Sequence, residues 1–219
     1  MQDTRGRGKE SPRVSWQVSF AGTPARHQER AGAMLSELLQ KANLFHLLFQ
    51  LDLDLASKCR LSDCPFCGGK LHQSNYVRKP RGGPPLVAEQ YLLRHSFCCA
   101  APGCRRRVLP GSCRFWGRRV YWAAVILVVT ALGQGRTSGF SANKLSRLFG
   151  IDRKTICRWK VYYREHFPQT PLWRKLRGKV GADIKDSEVC AGLVGCFINQ
   201  FGSQELAIAQ CLQILASGT

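Results

Sequence analysis

The chain has 219 residues, and 33 lysines and arginines against 14 aspartates and glutamates give it a net charge of +19. Residues 58–180 carry 25 of the basic and only 4 of the acidic side chains, although the hydrophobic fraction of 44% is that of an ordinary folded protein. So basic a segment repels itself and favours a polyanionic partner, most commonly nucleic acid, over the alternative of a basic surface kept for solubility.

The N-terminal part divides into two segments. Residues 1–13 are polar and rich in glycine and arginine, which predicts disorder, and they lack the apolar core of a signal peptide. Residues 14–57 form a helical segment, because leucine, alanine and phenylalanine recur at spacings of three and four within residues 25–50. We expect this helix to pack on the rest of the chain or on a partner, in a cytoplasmic, nucleoid-associated protein.

Glycine and proline become dense in residues 59–115, and the helical periodicity disappears. A stretch of this kind buries little apolar surface, so it needs a metal or disulfides to fold. Cys64 and Cys67 form a CxxC pair followed by two glycines, which permit the left-handed backbone of a metal-binding turn. Without secretion, such a pair favours metal over disulfide chemistry. Residues 58–115 are therefore predicted to be a zinc ribbon.

The second ligand pair is ambiguous, because Cys104 can pair with either Cys98 or Cys99. We favour Cys99, since its spacing of four intervening residues is the more usual one and Pro102–Gly103 supply the turn. Adjacent residues of a strand point to opposite faces, so only one of the two can face the metal. The predicted ligands are Cys64, Cys67, Cys99 and Cys104. A structural Zn²⁺ is the expected ion, and iron remains an alternative because four thiolates suit both metals.

Residues 118–168 are again helical in pattern. The first helix contains the apolar run 121–132, which is too short for the ~20 residues that a membrane-spanning helix needs, and ends at Gly133 or Gly135. Ser141 and Asp152 are predicted N-caps of the second and third helices, and Gly150 ends the second. The tail, residues 181–219, has weak apolar patterning, and we expect it to be variable.

Residues 145–159, LSRLFGIDRKTICRW, have the pattern of a DNA-binding helix-turn-helix within a domain of residues 116–180. Leu145, Leu148, Ile151, Ile156 and Trp159 are expected to face the core, which leaves the basic residues facing solvent. The predicted base-contacting residues of the second helix are Arg153, Lys154, Thr155 and Arg158. The predicted phosphate contacts are Lys144, Arg147, Lys160 and Arg164.

Six arginines between the second cysteine pair and the first helix are expected to form a further phosphate-binding strip. They are Arg105, Arg106, Arg107, Arg114, Arg118 and Arg119. The fold prediction as a whole is α+β, mainly α: a small zinc-ribbon β module followed by a three-helix helix-turn-helix domain, with an N-terminal helix.

Three stretches of the sequence resemble bacterial proteins that join a zinc ribbon to a helix-turn-helix, are encoded around mobile elements and are often labelled transposase-like. They are CPFCGGKLHQSNYVRKPRGGPP, RHSFCCAAPGCRRRVLPGSCRFWGRRVYWAAVIL and LSRLFGIDRKTICRWKVYYREHFPQTPLWRKLR. The resemblance covers residues 55–180. It implies the same four cysteine ligands and a recognition helix at residues 153–158, and it implies that Cys113 is not a ligand.

No catalytic site is expected. RNase H-like transposases hold two metal ions with three carboxylates, and residues 58–180 contain only Asp63, Glu89, Asp152 and Glu165. We therefore expect a sequence-specific binder of double-stranded DNA, accessory to a separate transposase or recombinase subunit. A transcriptional regulator is one alternative, and an RNA-binding zinc-ribbon protein is another.

Overall fold

The computed structural model describes residues 33–134, 140–180 and 184–217. In this part of the chain 60% of the residues are helical and 9% lie in strands, so the protein is mixed α+β and mainly helical, as expected. No helix among the described residues is long and apolar enough to cross a membrane. The expected disorder of residues 1–13 falls outside the described residues.

The N-terminal segment forms two helices where one was expected through residue 50. Helix α1 spans residues 33–38, a turn follows, and α2 spans Ala42–Leu61. The turn is closed by backbone hydrogen bonds from Gln40 and Lys41 to the carbonyls of Glu37 and Leu38. Ala42 is exposed, whereas Leu35, Leu38, Leu39, Leu44, Phe45 and Leu48 are buried. This segment therefore packs on the rest of the chain.

Two small antiparallel sheets follow. Strands β1 (Leu71–Gln73), β4 (Phe97–Cys99) and β5 (Arg107–Val108) form one sheet in the order β1-β4-β5. Strands β2 (Tyr76–Val77) and β3 (Leu93–Arg94) form the other, and the short helix α3 (Glu89–Leu92) leads into β3. Leu71 lies opposite Cys99 in the first sheet. This register brings the chain that leaves the CxxC turn beside the strand that carries Cys99, the first member of the second cysteine pair.

Helices dominate the remainder of the chain. Helix α4 (Ala123–Gly133) is buried continuously from Ala123 to Thr130 and contacts α5 (Ala142–Phe149), α6 (Arg153–Val161), α8 (Val189–Phe201) and α9 (Gln204–Ala216). It begins five residues later than the pattern from residue 118 indicated, because Tyr121 and Trp122 make β-bridges to Arg81 and Phe115. The expected end at Gly133 is confirmed. A π-helical turn (Tyr162–His166), a 3-10 turn (Phe167–Gln169) and α7 (Pro171–Val180) follow α6.

The C-terminal segment is part of the core, which its weak apolar pattern did not predict. After a 3-10 turn (Asp186–Glu188), α8 and α9 pack on each other and on α4. Their buried faces include Val189, Cys190 and Leu193 on α8, and Ile208 and Leu212 on α9. The core therefore needs both ends of the described chain.

A buried ion pair joins α2 to the segment before α4. Arg114 and Asp52 have side chains that are 0% and 1% exposed, and Arg114 Nε lies 2.8 Å from Asp52 Oδ2. The guanidinium also donates to the carbonyls of Tyr91 and Leu93, at 2.6 and 2.9 Å. The prediction that Arg114 belongs to a phosphate-binding strip is therefore wrong, because its charge is neutralised inside the protein.

Candidate metal centre and basic surface

The four cysteines predicted from their spacing lie together, with all four Sγ atoms within 4.8 Å of one another. Cys64 Sγ lies 3.8 Å from Cys104 Sγ, and Cys67 Sγ lies 3.4 Å from Cys99 Sγ. A tetrahedral zinc with bonds of ~2.3 Å separates its sulfur ligands by about 3.8 Å. The residues present therefore fit a four-thiolate metal centre.

The local backbone explains how the first pair is presented. Cys67 and Gly68 donate to the carbonyl of Cys64, and Cys64 donates to the carbonyl of Gly69 at 2.9 Å. Gly68 has φ of +71°, in the left-handed region that glycine favours. A Cβ atom at Gly69 would lie 3.1 Å from Cys99 Sγ, so this glycine lets the turn close onto the opposite pair.

The second pair repeats this geometry with a different residue. Cys104 and Arg105 both donate to the carbonyl of Ala101, and Arg105 has φ of +46°. Arg105 thus follows Cys104 in the left-handed conformation that Gly68 adopts after Cys67. It is the one non-glycine residue with positive φ in the described chain, and its conformation completes the second turn.

Backbone amides point at the cysteine sulfurs. Burial of the Cys64 thiol opposes ionisation, but hydrogen bonds from the amides of Phe66 and Cys67 and from neighbouring thiols lower its pKa to about 7. At Cys104 the hydrogen bond from the Arg106 amide also favours the thiolate, but burial and the neighbouring Cys67 and Cys64 thiols outweigh it and raise the pKa of this thiol. Amides that favour thiolates suit cation binding.

The other candidate ligands lie outside the cluster. Cys98 points away and its thiol faces the carbonyl of Arg105 at 3.3 Å, so Cys99 is the member of the FCC strand that joins the cluster, as expected. Cys113 is buried beside Asp52, whose carboxylate accepts its amide at 2.6 Å. Burial raises the pKa of the Cys113 thiol well above its usual range. Neither residue can serve as a fifth ligand in this arrangement.

The second feature is the pair of helices α5 and α6, joined by a short turn. Ser141 Oγ accepts the amide of Lys144, and Asp152 Oδ1 accepts the amide of Thr155, so both predicted N-caps are confirmed. Gly150 has φ of +63° and ends α5, also as expected. Leu145, Ile151, Ile156 and Trp159 are buried. Leu148 is 41% exposed, so its predicted place in the core is wrong.

The predicted base-contacting residues of α6 lie on its outer face. Arg153, Lys154 and Arg158 are exposed and Thr155 is half-buried. Arg158 donates to the Lys154 carbonyl and to Thr155 Oγ1, both at 3.3 Å, so this group is linked along the helix. Arg153, Lys154 and Arg158 are therefore accessible to a partner, and Thr155 is partly covered.

The predicted phosphate contacts differ in exposure. Arg147 and Arg164 are exposed, whereas Lys144 and Lys160 are half-buried. Lys144 Nζ lies 5.0 Å from the centre of the Phe140 ring. The stem of Lys160 packs over Gly133, where an added Cβ would lie 3.2 Å from its Cδ. Both lysines therefore combine packing with charge.

The arginine strip is only partly accessible. Arg105, Arg106, Arg107 and Arg118 are exposed. Arg119 is half-buried, with its guanidinium 4.7 Å from the Tyr162 ring centre and a hydrogen bond of 3.2 Å to the Tyr163 hydroxyl. This contact places the 118–119 segment beside the C-terminal end of α6.

One feature of the centre was not predicted. Phe66, between the first two cysteines, is 55% exposed, and the guanidinium of Arg106 lies 4.8 Å from its ring centre. The aromatic residue inside the CxxC turn was the available sequence signal. Its pairing with Arg106 depends on the register of β4 and β5, which sequence spacing does not specify.

No protein-family model, no curated protein and no solved structure matches this chain. The site is therefore interpreted from its own geometry and charge.

Proposed function

We propose that this protein is a sequence-specific double-stranded-DNA-binding protein with a structural zinc centre in a zinc ribbon and a helix-turn-helix formed by α4, α5 and α6. The observation that carries the proposal is the outer face of α6. Two capped helices and a left-handed glycine hold Ile156 and Trp159 inward, which leaves Arg153 and Lys154 outward in the first turn of α6 and Arg158 outward one turn later. Arginine and lysine at these positions suit guanine O6 and N7 in the major groove.

The four-cysteine centre supports the proposal because it positions basic residues, and it supplies no catalytic chemistry. Four thiolates leave no open coordination position for water, so a metal held there is structural. Cys104 precedes Arg105, Arg106 and Arg107, and the centre fixes the start of this exposed basic run. Contacts from such a run to phosphates add affinity without sequence preference.

In this proposal the chain has no catalytic site and acts as an accessory, transposase-like protein of a bacterial mobile element. Two carboxylates are committed elsewhere: Asp52 to the buried Arg114, and Asp152 to the cap of α6. Strand transfer then requires a separate transposase or recombinase subunit. The link to mobile elements rests on the sequence resemblance across residues 55–180.

Selection from a random duplex library tests the proposal. We expect one enriched motif, which the protein binds more tightly than a scrambled duplex at ~0.15 M salt. Arg153→Ala should lower this discrimination by about 1–3 kcal/mol at one base pair while non-specific binding stays near wild type. No enrichment, or tighter binding to an RNA hairpin than to any duplex, would refute the proposal.

Arg118→Ala is the matched control, because it removes the same side chain from an exposed position outside α6. We expect weaker binding to selected and scrambled duplexes alike, and a salt slope reduced by about 1. If Arg153→Ala and Arg118→Ala acted identically, the assignment of base contacts to α6 would be wrong. Arg114 is unsuitable for this comparison because it is buried.

A further inference from the structure

An aromatic ring and a guanidinium meet at the surface of the cysteine cluster. Phe66 lies at the tip of the first cysteine turn and Arg106 follows the second, so each side of the cluster contributes one partner. The Phe66 ring is 55% exposed and Arg106 is exposed. A large apolar side chain on so small a module contributes nothing to the core from this position, although its backbone amide contacts the Cys64 sulfur.

Both partners are held by backbone that the cluster organises. Phe66 lies within the turn closed by the bonds of Cys67 and Gly68 to the Cys64 carbonyl. The Arg106 carbonyl accepts a hydrogen bond from the Cys99 amide at 3.0 Å, and the Arg106 amide faces Cys104 Sγ. A ring on a fixed backbone loses little conformational entropy when a planar group stacks on it.

The surroundings are cationic. Lys70 and Arg105 are exposed near the second turn, and Asp63 is the one carboxylate in residues 58–88. Arg107 is also exposed, but its guanidinium donates to Ser96 Oγ at 3.2 Å. This charge favours a polyanion, but a duplex phosphate would contact the arginines alone and leave the exposed part of the Phe66 ring in solvent. An unpaired base offers both a π-face for the ring and a phosphate for the guanidinium.

We propose that Phe66 and Arg106 form a stacking site for an unpaired base of single-stranded DNA next to the bound duplex. The choice of DNA as the polymer rests on the proposed function. It would let the protein distinguish a frayed or overhanging end from continuous duplex. The ring stacks on the base, and Arg106 with its neighbours contacts the adjoining phosphates.

The test compares a blunt duplex with the same duplex carrying a four-nucleotide 3′ or 5′ overhang that contains 2-aminopurine. We expect the wild type to bind one overhang substrate more tightly and to quench the 2-aminopurine fluorescence. Phe66→Ala should reduce overhang affinity about 5- to 150-fold, the range of one lost base stack, with blunt-duplex affinity and metal content unchanged. Phe66→Trp should retain both tight binding and quenching.

Leu109→Ala is the control, because Leu109 is 52% exposed on the same module and carries no cation partner among the described contacts. Overhang binding unchanged in a metal-replete Phe66→Ala variant would overturn the inference, as would an equal loss on the blunt duplex. Tighter binding of an RNA overhang of the same sequence would overturn the choice of DNA. If the wild type did not bind the blunt duplex but bound the overhang through Phe66, the proposal of duplex binding would be refuted and the stacking site would be supported.

Discussion

Replacing Asp52 with Asn should destabilise the whole protein, because it leaves the Arg114 guanidinium buried without a counter-charge. The pair is 2.8 Å apart and both side chains are at most 1% exposed. Asp52 also accepts from the Ser112 hydroxyl and the Cys113 amide, both at 2.6 Å. Removing one partner of a buried ion pair costs about 3–5 kcal/mol. Asn keeps an acceptor oxygen, so we expect a loss near 3 kcal/mol.

Urea and thermal unfolding, with wild type and variants at the same metal content, measure this loss. For a chain of this length, about 3 kcal/mol corresponds to a fall in Tm of roughly 6–12 °C. Asp54→Asn is the matched control, since Asp54 is exposed on the same helix, and it should change Tm by little. A fall for Asp52→Asn no larger than that for Asp54→Asn would refute the importance of the pair.

A double-mutant cycle separates the ion pair from its surroundings. Arg114→Met alone leaves Asp52 buried and unpaired, and it also strips the Tyr91 and Leu93 carbonyls of their donor. The double variant removes both charges but not the second defect. We therefore expect its loss to be smaller than the sum of the single losses by at least about 1 kcal/mol. Additive losses would show that the charges do not interact.

Further predictions concern the metal centre and the C-terminal core. Elemental analysis should find one metal ion per chain in the wild type and in Cys98→Ser but not in Cys99→Ser, because only Cys99 of these two faces the cluster. Loss of the metal in both variants would contradict this geometry. Arg105→Gly should raise Tm by a few degrees, because it removes the backbone strain of a non-glycine residue at φ of +46°, worth about 1 kcal/mol. A lower Tm at full metal content would show that the Arg105 side chain stabilises the protein by more than this strain costs. Gln134→Ala should lower the free energy of unfolding by about 1–3 kcal/mol and speed amide exchange at the start of α8. The reason is that Gln134 Oε1 accepts the amides of Cys190 and Ala191 at 2.8 and 3.1 Å. Unchanged exchange at these amides would contradict this capping role.

The sequence predicted those parts of the molecule that depend on short-range geometry. The spacing of the cysteines identified four sulfurs that lie within 4.8 Å of one another, because a tight turn imposes its own ligand separation. Ser141, Asp152 and Gly150 were identified as helix ends because capping uses residues only three positions apart.

The sequence did not predict features that depend on distant partners. Arg114 belongs to a run of arginines that resembles a surface strip, and only its pairing with Asp52, 62 residues earlier, shows that it is buried. The C-terminal helices were missed for a similar reason. Helix α8 has small residues between its apolar ones, and part of its cap comes from Gln134, far earlier in the chain.

The segment that carries the cysteine cluster and the helices are joined by more than the covalent chain. The Arg114 guanidinium holds the carbonyl of Leu93 in β3, and the Arg114 carbonyl accepts the amide of Ala123 at the start of α4. Gly83, in the insert between the cysteine pairs, lies so close to Trp122 that an added Cβ would meet its Nε1 at 2.3 Å.

These contacts have a consequence for the proposed function. Arg78 donates to the carbonyls of Gly117 and Arg119, at 2.8 and 2.7 Å, so the insert also fixes the turn that carries Arg118. The same turn contacts the π-helical turn that follows α6, through Arg119 and Tyr163. The proposed phosphate contacts of Arg118 and the proposed base contacts of α6 would then be set by one packed unit rather than by two modules on a linker. Such preorganisation lowers the entropy cost of engaging both on a duplex.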